Sequence, residues 1–277
     1  MRAIGTIFYR EAINCFRDKI RVISSALMTT VMLLVFSVAM GDFNTSELGI
    51  TKIQYLLPGI IAATISMTAM SNSLSLIIDK SEGFMKEFLV APISRTSIAL
   101  GKILGTAFTA LIQGTMLFFI SFIFGMRYNL NMLLSLYISM ISIAFTCSAI
   151  GLLVASKVNS QIGYQIVAQA IMTPMVFLSG AYIPIKLFPW WIQWFSKINP
   201  ISYAVNACRI ATLEGRNIPQ SVLDDAGLVM YIYGYKVDTV LSIIIMLAVG
   251  VIFLFFAIIA FKKISATKKV DIRKLIN

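Results

Sequence analysis

Six long stretches of the chain contain no aspartate, glutamate, lysine or arginine, and they restrict the folds open to it more than any other feature. Each has between 19 and 24 residues, and roughly 20 apolar residues in a helix are enough to cross a bilayer. Because lipid offers no partner to backbone N–H and C=O groups, such a segment must cross as a helix. The six predicted transmembrane helices are 22–40, 55–78, 103–125, 132–155, 162–183 and 240–261.

The composition indicates a protein that lies almost entirely in the membrane. Of its 277 residues, 58% are hydrophobic and 13% are charged, and the mean hydropathy is +0.87. Soluble proteins have roughly 45–50% apolar and about 25% charged residues. Six crossings leave no length for a large soluble domain. We therefore predict an all-α integral membrane protein in which 1–277 forms one domain.

The basic residues predict the orientation of these helices. If both termini lie on one side, that side holds 16 of the 23 lysines and arginines, while the acidic residues divide six and six. The two sides then have net charges of +10 and +1. Since loops rich in lysine and arginine stay in the cytoplasm, we predict a multi-pass protein of the plasma membrane with both termini cytoplasmic. The overall charge of +11 then needs no nucleic-acid partner.

The sequence lacks the groups that catalysis, metal binding or ion-driven transport would require. It has no histidine, no phosphate-binding loop of the form G-x-x-x-x-G-K-[ST] and no ionisable residue within the six stretches. Its three cysteines, Cys15, Cys147 and Cys208, are too far apart for a C-x-x-C motif. We predict no catalytic residue, metal site or cofactor in this chain, and hence a transmembrane pathway without its own energy source.

Residues 1–21 have the pattern of an amphipathic helix that lies in the headgroup layer and binds membrane lipid. Phe8 and Phe16 fall on its apolar face, and Arg10 and Arg17 lie on or beside its polar face. Such a helix either anchors the chain or acts as a lever that transmits movement into the first span.

The cytoplasmic loop 79–100 contains a short apolar stripe at helical spacing, which Pro92 ends. An amphipathic helix of this kind either rests on lipid or inserts into a groove of a partner protein. The stripe consists of Phe84, Met85, Phe88 and Leu89.

The segment 184–239 is predicted to be external and to contain helices that partly re-enter the membrane. It holds all three tryptophans of the chain, including Trp190, and tryptophan favours the membrane–water interface. The stretch that follows them is apolar but too short and too broken to cross. We expect Cys208, which lies in that stretch, to be reachable from outside.

Polar residues within the spans are few and uncharged. Asn72, Gln165 and Gln169 are the candidates for lining a translocation path. Side chains of this kind also hold transmembrane helices together, and the pattern alone favours that structural role.

Together these features resemble the permease subunits of ABC-2 type exporters, a family that includes exporters of drugs, polysaccharides and teichoic acids. The similarity covers nearly the whole chain and rests on the order and spacing of short motifs. In the cytoplasmic loop the matching positions are Glu82-Gly83, 84–89, Pro92, Ser94-Arg95 and Gly101-Lys102. From the end of the fifth span onward they are Ser179-Gly180, Pro184, Pro189-Trp190, Asn199-Pro200, Tyr203 and Arg209. A basic residue common in the family corresponds to Lys80, displaced by one residue.

The resemblance implies that a separate ABC ATPase subunit, holding ATP and Mg²⁺, pushes on the loop helix and through it on the spans. It also implies a second permease chain, identical or paralogous, joined along spans one, two and five, and an amphipathic substrate: a drug, a lipid or a lipid-linked glycan. The residues implied in coupling are Glu82, Gly83, Phe84, Met85, Lys86, Phe88, Leu89, Pro92 and Arg95. Those implied in an external gate are Ser179, Gly180, Pro184, Trp190, Asn199, Pro200, Tyr203 and Arg209.

Two other functions are compatible with a span-rich chain. One is an ATPase-independent membrane scaffold or insertase-like protein, whose polar groups would face a groove open to lipid. The other is a lipid-processing enzyme within the membrane, which the missing histidine and missing intramembrane carboxylates disfavour. Co-purification with an ATPase separates the exporter subunit from both.

Overall fold

The computed structural model describes residues 2–39, 51–82, 94–213, 229–232 and 235–276. Nearly all of these residues are helical, which confirms the predicted all-α membrane class. The sheet found among the described residues is a hairpin of two short antiparallel strands, Tyr231–Ile232 and Tyr235–Lys236. The helices are α1 (Arg2–Arg17), α2 (Lys19–Ala39), α3 (Lys52–Asn72), α4 (Ser75–Ser81), α5 (Arg95–Ile123), α6 (Leu130–Lys157), α7 (Gln161–Phe177), a 3-10 turn (Ile185–Leu187), α8 (Trp190–Ile198), α9 (Pro200–Leu213) and α10 (Thr239–Ile276).

Within the described part of the chain, five helical segments are long and apolar enough to cross a membrane. Each overlaps one of the predicted stretches. The predicted fifth stretch, 162–183, corresponds to α7, which has 17 residues and ends at Phe177. A sixth crossing by this segment stays a prediction. The five segments are Val22–Ala39, Lys52–Ser81, Arg95–Ile123, Leu130–Lys157 and Thr239–Ala260.

The early end of α7 has a local cause. Gly180, shortly after the helix, adopts a φ of +84°, a backbone conformation that residues other than glycine strongly disfavour and that cannot continue an α-helix. The chain therefore leaves the helix, and Ser179 and Ala181 turn into the interior, where both are fully buried. Hydropathy stays high through this turn, so the pattern predicted a longer helix than the backbone forms.

The second predicted stretch, 55–78, is divided into α3 and α4 by a short turn. The serine at the turn, Ser73, donates its backbone N–H to the carbonyl of Met70. Helix α4 continues past the predicted end of the stretch, and it therefore places Asp79 and Lys80 in helical geometry against the bundle.

Helices α3, α5 and α6 form the centre of the bundle, and α2, α7 and α10 lie around them with few fully buried residues. Small residues allow close approach at the centre, as is usual for membrane helices. The closest approach to backbone is at Gly59 of α3, where an added Cβ would lie 2.6 Å from the carbonyl oxygen of Ala181.

We expect Gly59→Ala to lower the free energy of unfolding of the detergent-solubilised protein by about 1–3 kcal/mol, and with it the melting temperature, because the new methyl group must displace backbone rather than a flexible side chain. Gly5→Ala is the matched control: it is also a helical glycine, and among the described residues no heavy atom lies within 4 Å of its added Cβ. Equal melting temperatures for the two variants would show that the α3 contact with Ala181 is looser than the structure gives it.

Candidate functional site

Four charged side chains form a network at one end of the bundle. We call this the basic end; it carries α1, the end of α4, the start of α5 and the end of α6. Lys102 of α5 lies 2.5 Å from a carboxylate oxygen of Glu11 in α1 and also pairs with Asp79 of α4. Arg10 of α1 pairs with the other oxygen of Asp79. The charge network therefore joins three helices that are distant in sequence.

Burial makes this network structurally important. Lys102 is 1% exposed, and the Glu11 and Asp79 side chains are almost as deeply buried. Charges removed from water are tolerated when they are paired and hydrogen-bonded. Lys102 gains one further partner, the hydroxyl of Ser75 at 3.2 Å. The two cations and two carboxylates of these four described side chains balance one another in charge.

Two glycines of α5 allow α1 to come close enough for these pairs to form. An added Cβ at Gly101 would lie 2.9 Å from Cβ of Ile7, and one at Gly105 would lie 2.6 Å from Cβ of Glu11. The G-x-x-x-G spacing therefore brings the two helices into direct contact. This contact places the Glu11 carboxylate beside Lys102.

The predicted amphipathic helix is present as α1, but its apolar face packs on protein. The centre of the Phe8 ring lies 5.2 Å from that of Phe108 of α5, with the two rings tilted by 58°. Arg10 was expected on or beside the polar face, which points toward the lipid headgroups, but it pairs with Asp79 instead. Phe16 and Arg17 are exposed. Helix α1 is thus packed on α5 and bound to α4, and both the anchor and the lever interpretation stay predictions.

Lys80 attaches α4 to a fourth helix. Its ammonium donates to the carbonyl oxygen of Ala155 at 2.8 Å and to that of Ser156 at 3.3 Å, both in the last turn of α6. A helix C-terminus has unpaired carbonyls and a partial negative charge, so a lysine is well suited to this position. Asp79 therefore connects α4 to α1 and α5, and the next residue, Lys80, connects it to α6.

The predicted coupling helix begins directly after these contacts. Glu82, the residue after α4, is exposed, and Arg95 is the first residue of α5, whose N-terminus is capped by the Ser94 hydroxyl. Both flanks of the coupling segment are thereby fixed to the bundle. The coupling assignments remain predictions. Those outside the described residues are Gly83, Phe84, Met85, Lys86, Phe88, Leu89 and Pro92.

The three candidate path residues are not brought together. Asn72 donates to the Thr109 hydroxyl at 2.6 Å, and it lines two cavities of about 190 and 180 Å³ among α1 to α5. Gln165 and Gln169 instead lie on the exposed face of α7. Asn72 therefore belongs to a polar cleft within one chain, and the two glutamines belong to its outer surface.

The opposite end of the bundle, which we call the tryptophan end, carries α8 and α9. Trp190 is 79% exposed, and α8 presents an apolar outer face. Helix α9 begins with Pro200 at its first position and packs on α3, α6 and α10. These helices occupy the segment predicted to re-enter the membrane, and their depth in the bilayer stays a prediction.

The predicted gate residues hold α9 against the end of α7. Arg209, 3% exposed, donates to the carbonyl of Gly180 at 2.6 Å, and its guanidinium lies 4.9 Å from the centre of the Tyr55 ring. Asn199 donates to the carbonyl of Met175 at 2.6 Å. The buried turn of the chain at Gly180 thus receives a hydrogen-bond donor from α9. Ser179 and Pro184 are buried beside this turn, and the Tyr203 hydroxyl binds the carbonyl of Lys197.

The expectation that Cys208 is reachable from outside is wrong. Cys208 lies on the face of α9 that packs into the bundle and is fully buried, and burial raises the pKa of its thiol to about 12. A protonated thiol without solvent access does not react with a water-soluble reagent.

A family model described as ABC-2 type transporter matches residues 2–213, which include the charge network and the gate residues. The chain belongs to the ABC-2 type transporter family. The match runs from α1 to the end of α9, and it ends before the hairpin and α10.

Named relatives of this ABC-2 chain are transport proteins. It is 27% identical over 208 residues to the ycf38 protein of Cyanophora paradoxa, which carries the name of a transport permease; the alignment covers 72% of this chain and 70% of the relative. It is 23% identical over 219 residues to the inner membrane transport permease YadH of Escherichia coli (strain K12), covering 78% and 85%. It is 27% identical over 165 residues to ABC transporter G family member 20 of Dictyostelium discoideum, covering 59% and 22%.

The charge network of the ABC-2 chain was not predicted from the sequence. Lys102 was named only as part of the Gly101-Lys102 motif, and Glu11 was not named at all on a helix described by its apolar and arginine positions. A signal was present: Glu11 is the one acidic residue in the first 17, and it lies next to the apolar face of α1. A carboxylate in that position needs a buried cation.

Proposed function

We propose that the chain is the membrane permease subunit of an ABC exporter, which moves an amphipathic substrate out across the plasma membrane with ATP hydrolysed by a separate ATPase subunit. ATP and Mg²⁺ belong to that partner. The substrate class is a drug, a lipid or a lipid-linked glycan. The observation that carries the proposal is the charge network, because it fixes the helices on both sides of the predicted coupling segment to each other.

The network gives a route for mechanical coupling. A push on segment 83–93 is applied to the end of α4, whose Asp79 is bound to α1 and α5 and whose Lys80 is bound to α6. The pair of Asp79 with Lys102 is a buried ion pair, which is costly to break, and Lys80 adds hydrogen bonds to carbonyl oxygens. The segment therefore cannot shift without moving α1, α5 and α6, which is what an ATP-driven stroke requires.

The outer surface favours a second permease chain. Gln165 and Gln169 are exposed on α7, and polar groups are costly against lipid tails. Most of α2 is also exposed. We propose that α2 and α7 face the partner chain and the translocation path. The basic end, with its excess of lysine and arginine, is the cytoplasmic end.

The test is Phe84→Ala combined with Phe88→Ala. We expect the variant to fold and insert normally, to lose co-purification with the ATPase subunit, and to transport at least about tenfold more slowly, since each deleted ring removes a buried anchor of the expected interface. The measurements are a pull-down from detergent extract and substrate flux in reconstituted vesicles.

The matched control is Tyr9→Ala combined with Phe16→Ala, which removes two exposed rings of α1 at the same end of the bundle. The control is expected to retain the ATPase. Undiminished co-purification of the Phe84 and Phe88 variant would overturn the coupling assignment, and transport in cells that lack every ABC ATPase would favour the ATPase-independent scaffold or insertase.

A further inference from the structure

A groove with polar walls lies between α2, α3 and α5, and it begins at the corner where α1 meets α2. Its polar part consists of the two cavities of about 190 and 180 Å³, which adjoin each other because both are lined by Ser71, Asn72 and Thr109. One water needs roughly 10–15 Å³ of such space, so each cavity has room for several waters or one small polar group. We call the cavity of about 180 Å³, which lies farther from the basic end, the distal cavity. Its other lining residues are Cys15, Val22, Ser25, Met67, Thr68 and Gln113.

Two polar groups of this groove are accessible and have no partner in the described part of the chain. The amide nitrogen of Asn72 donates to Thr109, but the carbonyl oxygen of the same side chain and the hydroxyl of Ser71 make no hydrogen bond there. Ser71 is exposed and Asn72 is half-buried. Both lie in the membrane-spanning segment Lys52–Ser81, where lipid tails cannot satisfy a polar group. The two groups therefore need either water or the polar part of a ligand.

The groove changes from polar to apolar with distance from the basic end. Beyond the distal cavity the same three helices enclose a narrow gap of about 10 Å³, whose walls are mostly apolar. This gap is too small for an acyl chain, so a chain enters only if a helix moves outward. Few residues of α2 are buried, and α2 is therefore the least firmly packed wall. The apolar residues of the gap are Leu33 of α2, Leu57, Ile60 and Ile61 of α3, and Leu117 and Ile120 of α5.

The chemistry of the distal cavity favours an uncharged headgroup. Its polar groups are hydroxyls and two amides, those of Asn72 and Gln113, and every described residue that lines it is uncharged. The Thr68 hydroxyl donates to the carbonyl oxygen of Gln113 at 2.7 Å, which orients this amide. Hydroxyl and amide groups both donate and accept, so they suit a headgroup with several hydroxyls, such as glycerol or a sugar. The carboxylates nearby, Glu11 and Asp18, line the cavity nearer the basic end.

We propose that this groove binds an amphiphile whose uncharged, hydroxyl-bearing headgroup lies against Ser71, Asn72 and Thr109 and whose acyl chain runs between α2, α3 and α5. The role of the site rests on the proposed function: in an exporter, each permease chain takes up its substrate here, before the substrate reaches the seam with the second chain. Binding itself needs neither the ATPase nor a second permease. Its failure is therefore distinct from a failure of the coupling assignment, and the reverse also holds.

Photolabelling of the purified full chain in phosphatidylcholine nanodiscs tests the site. The probe is a monoacylglycerol with a diazirine in its acyl chain, and mass spectrometry locates the adducts. We expect saturable labelling of the groove faces of α2, α3 and α5, which excess 1-oleoylglycerol or oleyl glucoside suppresses and excess oleyl phosphate does not. Stronger suppression by the glucoside identifies a glycolipid as the source, and stronger suppression by oleoylglycerol identifies an acylglycerol; either supports the site. Labelling that does not saturate, which would leave the cavities to water, or equal suppression by oleyl phosphate would overturn it.

Variants of Ser71 test the position of the headgroup. Ser71→Leu fills space in both cavities without removing a hydrogen bond of the described chain, and it is expected to weaken binding of the monoacylglycerol about tenfold. Ser71→Ala is expected to weaken it about threefold through one lost hydrogen bond. Because Ser71 is exposed, neither change disturbs the packing of the bundle.

Ser37→Leu is the matched control. Ser37 lies on α2, donates to the carbonyl of Leu34 in its own helix and lines neither cavity. The control is expected to bind the probe as the unsubstituted protein does. Undiminished affinity in Ser71→Leu, or an equal loss in Ser37→Leu, would exclude this site.

Discussion

Replacing Lys102 by methionine is expected to lower the free energy of unfolding by about 3–5 kcal/mol, the usual cost of removing one partner from a buried ion pair. The substitution keeps the length of the side chain but leaves the Glu11 carboxylate without its cation, and it leaves Asp79 with Arg10 alone. The measurement is denaturant or thermal unfolding of the purified protein in detergent. Lys157→Met, which removes an exposed lysine at the same end, is expected to change stability by less than about 1 kcal/mol.

The pairing itself can be separated from general damage by a double-mutant cycle. Asp79→Asn and Lys102→Met are expected to cost less together than the sum of the two single losses, by at least about 1 kcal/mol, because each single change already removes the Lys102–Asp79 ion pair and the double variant loses it only once. Additive losses would mean that the two side chains do not interact, and the proposed connection between α4 and α5 would fail with them.

Tyr164→Ala is expected to detach α7 from the bundle. Tyr164 is fully buried, and its hydroxyl donates to the carbonyl of Met70 at 2.5 Å. Few other residues of α7 are buried, so this side chain is its main attachment. We expect a loss of about 2–3 kcal/mol, less than the roughly 3–5 kcal/mol for an aromatic side chain in a soluble core, since lipid reduces the transfer contribution.

Hydrogen exchange measured peptide by peptide distinguishes this local effect from general unfolding. Protection is expected to fall in 161–177 and to stay unchanged in α5. Tyr164→Phe keeps the packing and removes only the hydrogen bond, so it should cost about 1 kcal/mol and leave the exchange of α7 close to that of the unsubstituted protein. A uniform loss of protection across the bundle in Tyr164→Ala would refute the anchoring role.

The sequence was sufficient to predict the membrane class and the positions of most long helices. An uninterrupted apolar stretch is a local property, and its length relative to the bilayer determines that it crosses as a helix. The amphipathic pattern of residues 1–21 likewise predicted α1. The family resemblance, which rested on short motifs in a fixed order, was confirmed by the match over residues 2–213.

The charge network and the hydrogen bonds that satisfy the turn after α7 depend on contacts between distant residues, and local patterns do not encode them. Glu11 and Lys102 are 91 positions apart, and Arg209 reaches a carbonyl 29 positions earlier, at Gly180. Hydropathy does not distinguish a helix that continues from an apolar turn supplied with donors by another helix. The coupling residues of 83–93 were predicted from resemblance and remain predictions.

The composition of the charge network has an electrical consequence. Arg10 and Lys102 balance Glu11 and Asp79, so a membrane potential exerts no net force on the four side chains when they move as one body. A lone lysine carried through 100 mV would exchange about 2.3 kcal/mol with the field. Moving α1, α4 and α5 together therefore costs no net electrical work on these four charges, whether the membrane is energised or depolarised.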